Sequence, residues 1–553
     1  MEAERLELDV RGMTCESCAL HVEKALGAVT GVKDVRVPGW KSARATAEVE
    51  PEVTADDLAA AVRGSGYSVS VRSRKPLKAT PSRAEPGNGV FDLMVIGAGS
   101  AGFAAAIKAA ELGKLVALVG MGTIGGTCVN VGCIPSKTLI RAVETLHVAG
   151  QARFRGVHTI PGRISWPEVV SHKDELVNEM RQEKYIGVLS AYPEITYLEG
   201  RAQLSGGNRV EVDGLAYAPG KIVLATGAQP WAPSIPGLAQ AGYLDSTSAL
   251  ELKELPKSMI VLGGNAVGLE LAQTFARAGT YVTVLEVLPS ILPFEDEEIG
   301  SALTRYLEGE GLRIVPGFKT ASVARQNGRY VLRGVKNEGE VTFDAEQLLV
   351  ATGRRANSAD MGLEEAGVHL GARGEVLVND LLQTHNPFVY AAGDVTGRDM
   401  FVYVASYSGG LAAENALTSA GKVYDASYIP RITFTDPQVA SAGLTEAAAR
   451  GQGRDVRVSV VAMAHVPRAQ AARDTRGLVK LVADAQTDHL VGAHVLAPEA
   501  GEMIQTAVLA IRFGIRVGDL RRTMFPYLTN AEGLKLAALA FEKDISKLSC
   551  CAG

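Results

Sequence analysis

Twice in this chain a strand-like apolar run passes straight into a glycine-rich turn and then a helix pattern. Phe91-Asp92-Leu93-Met94-Val95-Ile96 leads into Gly97-Ala98-Gly99-Ser100-Ala101-Gly102, and Met259-Ile260-Val261-Leu262 leads into Gly263-Gly264-Asn265-Ala266-Val267-Gly268. Strands that are apolar almost throughout are buried on both faces, as parallel strands covered by helices are. Glycines at the strand end permit a tight turn and let an anionic group approach the helix N-terminus. Two such units predict an α/β chain with two doubly wound dinucleotide-binding domains.

The 553 residues exceed what those two units need. Residues 1–72 read as a separate domain. Leu6 to Val10 alternates, Glu16 to Leu26 has helical spacing, Val32 to Val37 and Ala43 to Val49 alternate, Ala55 to Arg63 is helical and Tyr67 to Val71 extended. That βαββαβ order predicts a ferredoxin-like sandwich. Residues 73–90, with Pro76, Pro81, Pro86, Gly87 and Gly89 among charges, predict a flexible linker. The first dinucleotide-binding domain is expected over 91–235 and 356–428, the second over 236–355. From Ile429 the texture changes again. Strands near Ile432 and over Val456–Ala462, Leu478–Ala483 and Leu490–Leu496, then helices Glu502–Phe513 and Thr529–Phe541, predict an α+β dimerisation domain over 429–553.

The six cysteines fall in three pairs, Cys15/Cys18, Cys128/Cys133 and Cys550/Cys551. Adjacent cysteines make a strained disulfide, so the last pair reads as available thiols on a tail expected to be mobile. Three thiol pairs suit a relay for a soft metal ion or for electrons. Gly12-Met13-Thr14-Cys15-Glu16-Ser17-Cys18 places two thiols where a loop enters a helix, and a helix start favours thiolates. Two sulfurs at this spacing suit a linear ion such as Cu(I) or Hg(II), with a redox Cys-x-x-Cys as the alternative. The segment, down to Gly64-Ser65-Gly66-Tyr67, resembles heavy-metal-associated domains, which makes Cys15 and Cys18 the expected metal ligands.

The net charge of -5, without a long basic run, argues against a nucleic-acid partner. Met1 to Arg11 is charged and has no apolar core, so no signal peptide is expected there. Nor is there an apolar stretch of about 20 residues to span a membrane. A cytoplasmic protein is expected.

Gly125-Gly126-Thr127-Cys128-Val129-Asn130-Val131-Gly132-Cys133-Ile134-Pro135-Ser136-Lys137 resembles the redox segment of the flavin disulfide oxidoreductases, the family of glutathione reductase and lipoamide dehydrogenase. Ala225-Thr226-Gly227, Ala351-Thr352-Gly353-Arg354 and Tyr390-Ala391-Ala392-Gly393-Asp394-Val395 extend the likeness. The resemblance implies FAD and NADH or NADPH as cofactors. It makes Cys133 the thiolate against the flavin and Cys128 the sulfur facing substrate. Lys137 is implied beside the flavin ring, paired with Glu270, and Asp394 at the ribityl and phosphate region. Gly97, Gly99, Ser100, Ala101, Gly102, Gly126, Thr127, Thr226 and Gly227 are the expected flavin contacts; Gly263, Gly268, Glu286 and Gly353 are the expected nicotinamide-side contacts. Two positions depart from the pattern. Gly120 stands after Leu118-Val119 where an acid ordinarily meets the ribose, so that contact must come from elsewhere or be weaker. Asn265 replaces the second glycine of the second turn. Val282-Thr283-Val284-Leu285-Glu286 does end in an acid, and Val287, Leu288 and Pro289 supply no arginine. A carboxylate there binds ribose hydroxyls and repels a 2′-phosphate, which predicts a lean toward NADH.

Reduction of an organic disulfide needs a general acid for the departing thiolate. The disulfide reductases supply a histidine in a segment reading His-Pro-Thr-x-x-Glu, but here Tyr527-Leu528-Thr529-Asn530-Ala531-Glu532 stands in its place. With the tail dithiol and the metal-capture segment, this pattern resembles the mercuric reductases. That family implies Hg(II), arriving as thiol complexes, as the substrate reduced to Hg(0). It implies a homodimer in which Cys550 and Cys551 of one subunit serve Cys128 and Cys133 of the other. Tyr185 and Tyr527 match its two active-site tyrosines, and a transient contact with a mercury transporter is a further expectation. Two other readings stay open. One is a dihydrolipoamide dehydrogenase-like enzyme with an appended metal domain; the other is a metal chaperone on a redox-silent flavoprotein scaffold.

Overall fold

A computed structural model describes residues 4–13, 16–37, 40–63, 66–76 and 91–549. The chain divides into two compact units, Met1–Gly89 and Val90–Gly553.

The first unit carries β1 (Glu4–Arg11), α1 (Glu16–Gly27), β2 (Val32–Arg36), β3 (Arg44–Val49), α2 (Ala55–Arg63) and β4 (Ser68–Pro76). Its antiparallel sheet runs β2-β3-β1-β4. Period-two alternation sends Leu6, Leu8 and Val10 of β1 to one face, where they meet Val22 and Leu26 of α1 and Leu58 and Val62 of α2, all fully buried. Each such side chain contributes about 1.5–3 kcal/mol. The linker expected from residue 73 begins later than that: β4 stays paired with β1 as far as Pro76, opposite Glu4. The rest of the expected linker, 77–90, lies outside the described residues.

The second unit opens with β5 (Leu93–Ile96), α3 (Ser100–Glu111), β6 (Val116–Gly120), α4 (Gly126–Val131), α5 (Cys133–Ala149), α6 (Trp166–Arg181) and β7 (Ile195–Glu199). Its first sheet is wholly parallel, in the order Val389–Ala391, Lys221–Leu224, β5, β6, β7. Every residue of β5 and β6 is buried, because α3 and helix Val402–Leu417 cover one face and the antiparallel strands Ala202–Leu204 and Val210–Val212 cover the other. A second parallel sheet has the order Arg313–Val315, Tyr281–Leu285, Ser258–Leu262, Gln347–Val350. Strand Val389–Ala391, which pairs with Lys221–Leu224 at the edge of the first sheet, returns the chain to that sheet after the second is complete.

Two small antiparallel sheets escape the sequence pattern, one over residues 202–217 and one over 319–345. Their strands are half exposed, so polar residues interrupt the apolar signal. The last sheet has the order Pro430–Thr433, Gln438–Gly443, Leu490–Ala497, Leu478–Asp484, Val456–Ala462. Gln438–Gly443 is an additional strand, nearly all buried; its small residues Ala440, Ser441 and Ala442 give little sequence signal. Helix Ala500–Arg512 packs on this sheet. The helix expected over Thr529–Phe541 is shorter, Glu532–Leu539, because Thr529 to Ala531 turn tightly into it. Among the described residues, no helix is long and apolar enough to cross a membrane.

Candidate active site

The first glycine turn is forced by contact. Gly97 has φ +120°, and a Cβ there would strike the Ala225 carbonyl, while a Cβ at Gly102 would strike the carbonyl of Gly97. The helix N-cap, Gly99, brings no side chain to the first-turn N–H groups of α3, which stay available to an anion. A second glycine pair, Gly125 at φ +103° and Gly126 at φ +67°, bends the chain into α4 so tightly that a Cβ on Gly126 would lie 2.6 Å from the Gly99 Cα. The redox segment is therefore seated on the dinucleotide turn itself. A Cβ on Gly393 would lie 3.0 Å from the Ala101 Cβ, which brings Asp394 near the same helix start. Burial pushes Asp394 above the usual carboxylate range, while the Arg354 guanidinium, 3.8 Å away, opposes it. Thr226 is held by its hydroxyl to the Asn357 carbonyl at 2.6 Å. A backbone cradle open at a helix start, with an acid and a hydroxyl at its rim, fits FAD.

Between α4 and α5 the chain kinks at Gly132, where a Cβ would press to 2.8 Å from the Thr127 carbonyl. The kink makes Cys133 the first residue of a 17-residue helix and sets Cys128 on the preceding short one. Both thiols are free and partly buried. They share a hydrogen bond with an uneven outcome. Cys133 is drawn down to about 7, chiefly by the hydrogen bond from Cys128 and then by the Lys137 charge, against burial and Glu270. Cys128 is pushed up by that hydrogen bond, by burial and by the charge on Cys133. Of the two, Cys133 is therefore the more readily ionised and Cys128 the one that keeps its proton.

Lys137, one turn along α5, places its ammonium 2.6 Å from Glu270 and 4.7 Å from the centre of the Phe434 ring. Glu270 is only 7% exposed in its side chain, and its other oxygen accepts the Phe434 N–H at 2.8 Å. One carboxylate therefore fixes Lys137, helix Ala266–Ala278 and the strand end near Phe434 together. Tyr185 lies in a π-helical turn, Gln182–Ile186, a rare geometry often found at functional sites. Its ring meets Phe103 edge-on at 5.0 Å. Burial raises its pKa, Ser100 hydrogen-bonds its hydroxyl, and the charges of Cys128 and Cys133 act on it.

On the nicotinamide side, Gly263 has φ +110°, with the Ala351 carbonyl where a Cβ would be. Gly268 packs in the same way against Gly263. Asn265 keeps an extended backbone and caps helix Ala266–Ala278, its side-chain oxygen accepting the Ala266 N–H at 2.9 Å. Glu286 is 7% exposed and accepts the N–H groups of Gly264 and Leu288 at 2.7 and 2.8 Å. Gly227 and Gly353 both have positive φ at the ends of their strands.

Tyr527 is half exposed on the segment leading into helix Glu532–Leu539. Cys18 sits, partly buried, in the first turns of α1. Cys15, Cys550 and Cys551 lie outside the described residues. Several participants are invisible in the sequence. Arg181 donates to Asn130 at 2.7 Å, and Asn130 donates to the carbonyls of Ile124 and Gly126, which ties the redox segment to α6. Tyr403 donates its hydroxyl to the Pro430 carbonyl, stacks on Phe401 at 5.4 Å and feels the charge of Cys133. Only the aromatic spacing of Phe401 and Tyr403 could have flagged it. His147, Glu310 and Asp436 also converge, but Arg277 pairs with both carboxylates at 2.7 and 2.8 Å, so this grouping is an ion-pair network.

Residues 91–409, more than half of the chain, match the pyridine nucleotide-disulphide oxidoreductase family. The chain belongs to that family. Residues 429–538 match the dimerisation domain of these oxidoreductases, and residues 7–68 match the heavy-metal-associated domain. As a member, the chain is an oxidoreductase that works with FAD and NAD(P)H. Among curated relatives, the mercuric reductase of Staphylococcus aureus is 42% identical over 99% of this chain and 99% of that one. The mercuric reductase of Streptomyces lividans is 44% identical over 84% of this chain and 98% of its own. Among solved structures, the HOCl-induced flavoprotein disulfide reductase RclA of Escherichia coli superimposes with a TM-score of 0.72 at 30% identity, covering 81% of this chain and 99% of that one.

Proposed function

We propose that this oxidoreductase reduces Hg(II) to volatile Hg(0) with NAD(P)H, as a mercury-detoxifying enzyme. The observation that carries the reading is the end-to-end similarity to proteins named mercuric reductase. The thiol pair and Tyr527 give it a mechanism.

Hg(II) prefers two sulfurs in a line, and a deprotonated sulfur is the better ligand. Cys133, the thiolate, attacks first and displaces one thiolate from the incoming complex. Cys128 then gives up its proton as it bonds to mercury, and the second departing thiolate takes that proton. Lys137, fixed by Glu270, keeps positive charge beside Cys133 throughout. FAD, when bound, supplies a two-electron carrier between the nicotinamide hydride and the dithiol. With two electrons on mercury, both sulfur–mercury bonds break and leave two thiolates, and Cys128 takes a proton from solvent. Hg(0) departs neutral, so no leaving thiolate at the metal needs a general acid. Tyr527 then suffices where a disulfide reductase has histidine, lending a hydroxyl to the dithiolate complex with Tyr185.

FAD is assigned to Gly97, Gly99, Ser100, Ala101, Gly102, Gly126, Thr127, Thr226, Gly227 and Asp394, and the pyridine nucleotide to Gly263, Gly268, Glu286 and Gly353. Glu286 presents a carboxylate, and the Val287, Leu288 and Pro289 that follow it supply no arginine, which favours NADH over NADPH. The chain works as a cytoplasmic homodimer, in which the Cys550/Cys551 tail delivers Hg(II) to the partner's dithiol. Cys15 and Cys18 collect it, from small thiols or by transient contact with a transporter. The test is Hg(II)-dependent NADH and NADPH oxidation by the purified yellow protein in excess thiol, beside oxidised glutathione and lipoamide as competitors. Turnover with a disulfide and none with Hg(II) would reverse the assignment.

A further inference from the structure

Gly120 ends β6 at the place where a dinucleotide fold ordinarily offers an acid to the ribose. β7 runs parallel beside it, with Leu118 opposite Tyr197 and Gly120 opposite Glu199. Tyr197 leans along the sheet toward the strand ends. Its hydroxyl lies 2.5 Å from where a Cβ on Gly120 would be, and its ring carbon Cε2 lies 3.0 Å from that point. The same point is 2.9 Å from the Ala98 Cβ, within the glycine-rich turn. The space an acidic side chain would fill is therefore filled by the tip of a phenol reaching across from the next strand. The ring body packs against the core of the first sheet, which fixes the tip's position. Burial, then the charge of Glu199, raises the pKa of this hydroxyl, so it stays neutral and can both donate and accept. Among the described residues, no hydrogen bond to another group of the protein engages it.

We propose that Tyr197 recognises the adenosine ribose of FAD, its hydroxyl taking the place of the carboxylate that Gly120 cannot supply. The two positions form one exchange. A glycine at 120 is required by the tyrosine, since any Cβ would press on the phenol, and the tyrosine restores the hydrogen bond that the glycine removes. A neutral hydroxyl at this point also leaves no fixed negative charge beside the pyrophosphate. This inference rests on the flavin reading of the first glycine turn.

The experiment is an equilibrium titration of the deflavinated full-length chain, read by quenching of flavin fluorescence. Tyr197→Phe keeps the ring and removes the hydroxyl, so the Kd for FAD should rise roughly 2- to 12-fold, the range for one hydrogen bond. The Kd for FMN, which lacks the adenosine half, should be the same in both chains; a merely structural fault would weaken both ligands. Glu199→Gln should leave FAD binding unchanged. An unaltered FAD Kd in Tyr197→Phe, or a larger loss in Glu199→Gln, overturns the proposal. Failure of the unsubstituted chain to bind FAD would overturn the flavin reading instead, so the two failures are distinct.

Discussion

Replacing Cys128 with alanine isolates the force that keeps Cys133 ionised. In the intact site the hydrogen bond from Cys128 is the largest influence drawing Cys133 down to about 7. Lys137 helps, while burial and Glu270 oppose. A hydrogen bond to a charged acceptor contributes about 1.5–3 kcal/mol, and a pKa unit corresponds to about 1.4 kcal/mol. Losing the donor should therefore raise the Cys133 pKa by roughly one to two. Among the influences that remain in the variant, burial outranks Lys137, so the thiol should lose its depression. The assay is the rate of iodoacetamide alkylation of the Cys133 peptide against pH, followed by mass spectrometry in a chain whose other four cysteines are alanine. In the intact pair the rate should fall about tenfold per pH unit below about 7, because only the thiolate reacts. In Cys128→Ala the same fall should begin one to two units higher. A midpoint in Cys128→Ala at or below that of the intact pair would show that Lys137 and the helix, not the neighbouring thiol, set the charge.

Lys137→Met should destabilise the fold by about 3–5 kcal/mol, because it strands the buried Glu270 carboxylate. Adding Glu270→Gln should recover much of that loss, and urea unfolding of the two variants checks it. Glu286→Ser should narrow the gap between NADH and NADPH in kcat/KM by weakening the former, and Val287→Arg should raise the latter. Replacing Cys550 and Cys551 by alanine should cripple turnover of thiol-bound Hg(II) while leaving reduction of bound flavin by NADH intact in a stopped-flow trace. Equal mercury turnover in that variant with a bulky dithiol complex would remove the tail from the delivery path.

The two glycine turns and the Cys128/Cys133 segment were legible because their chemistry is local. Each requirement, a positive φ at Gly97 or a kink at Gly132, is met within a few residues. Glu270 was named from resemblance, but its second bond, to the Phe434 backbone, joins positions far apart in the chain and leaves no pattern. Arg181, Asn130 and Tyr403 are hidden for the same reason. Gly120 shows the limit most plainly. In sequence it is a missing acid; only the parallel register of β6 and β7 reveals that Tyr197 fills the gap. The half-exposed sheets at 202–217 and 319–345 were missed because solvent-facing residues dilute their alternation. Pro76 was read as linker because a proline at a strand end and a proline in a loop look alike without the partner strand.

The most direct measurement is a mercury balance. The purified chain is supplied with a limiting amount of NADH and excess thiol-bound Hg(II) in the absence of oxygen, and the vapour swept out is trapped and weighed against NADH consumed. The account predicts one mercury atom recovered as Hg(0) per NADH oxidised, and none when Cys128 and Cys133 are both alanine. NADH consumed while mercury stays in solution as Hg(II) would contradict it.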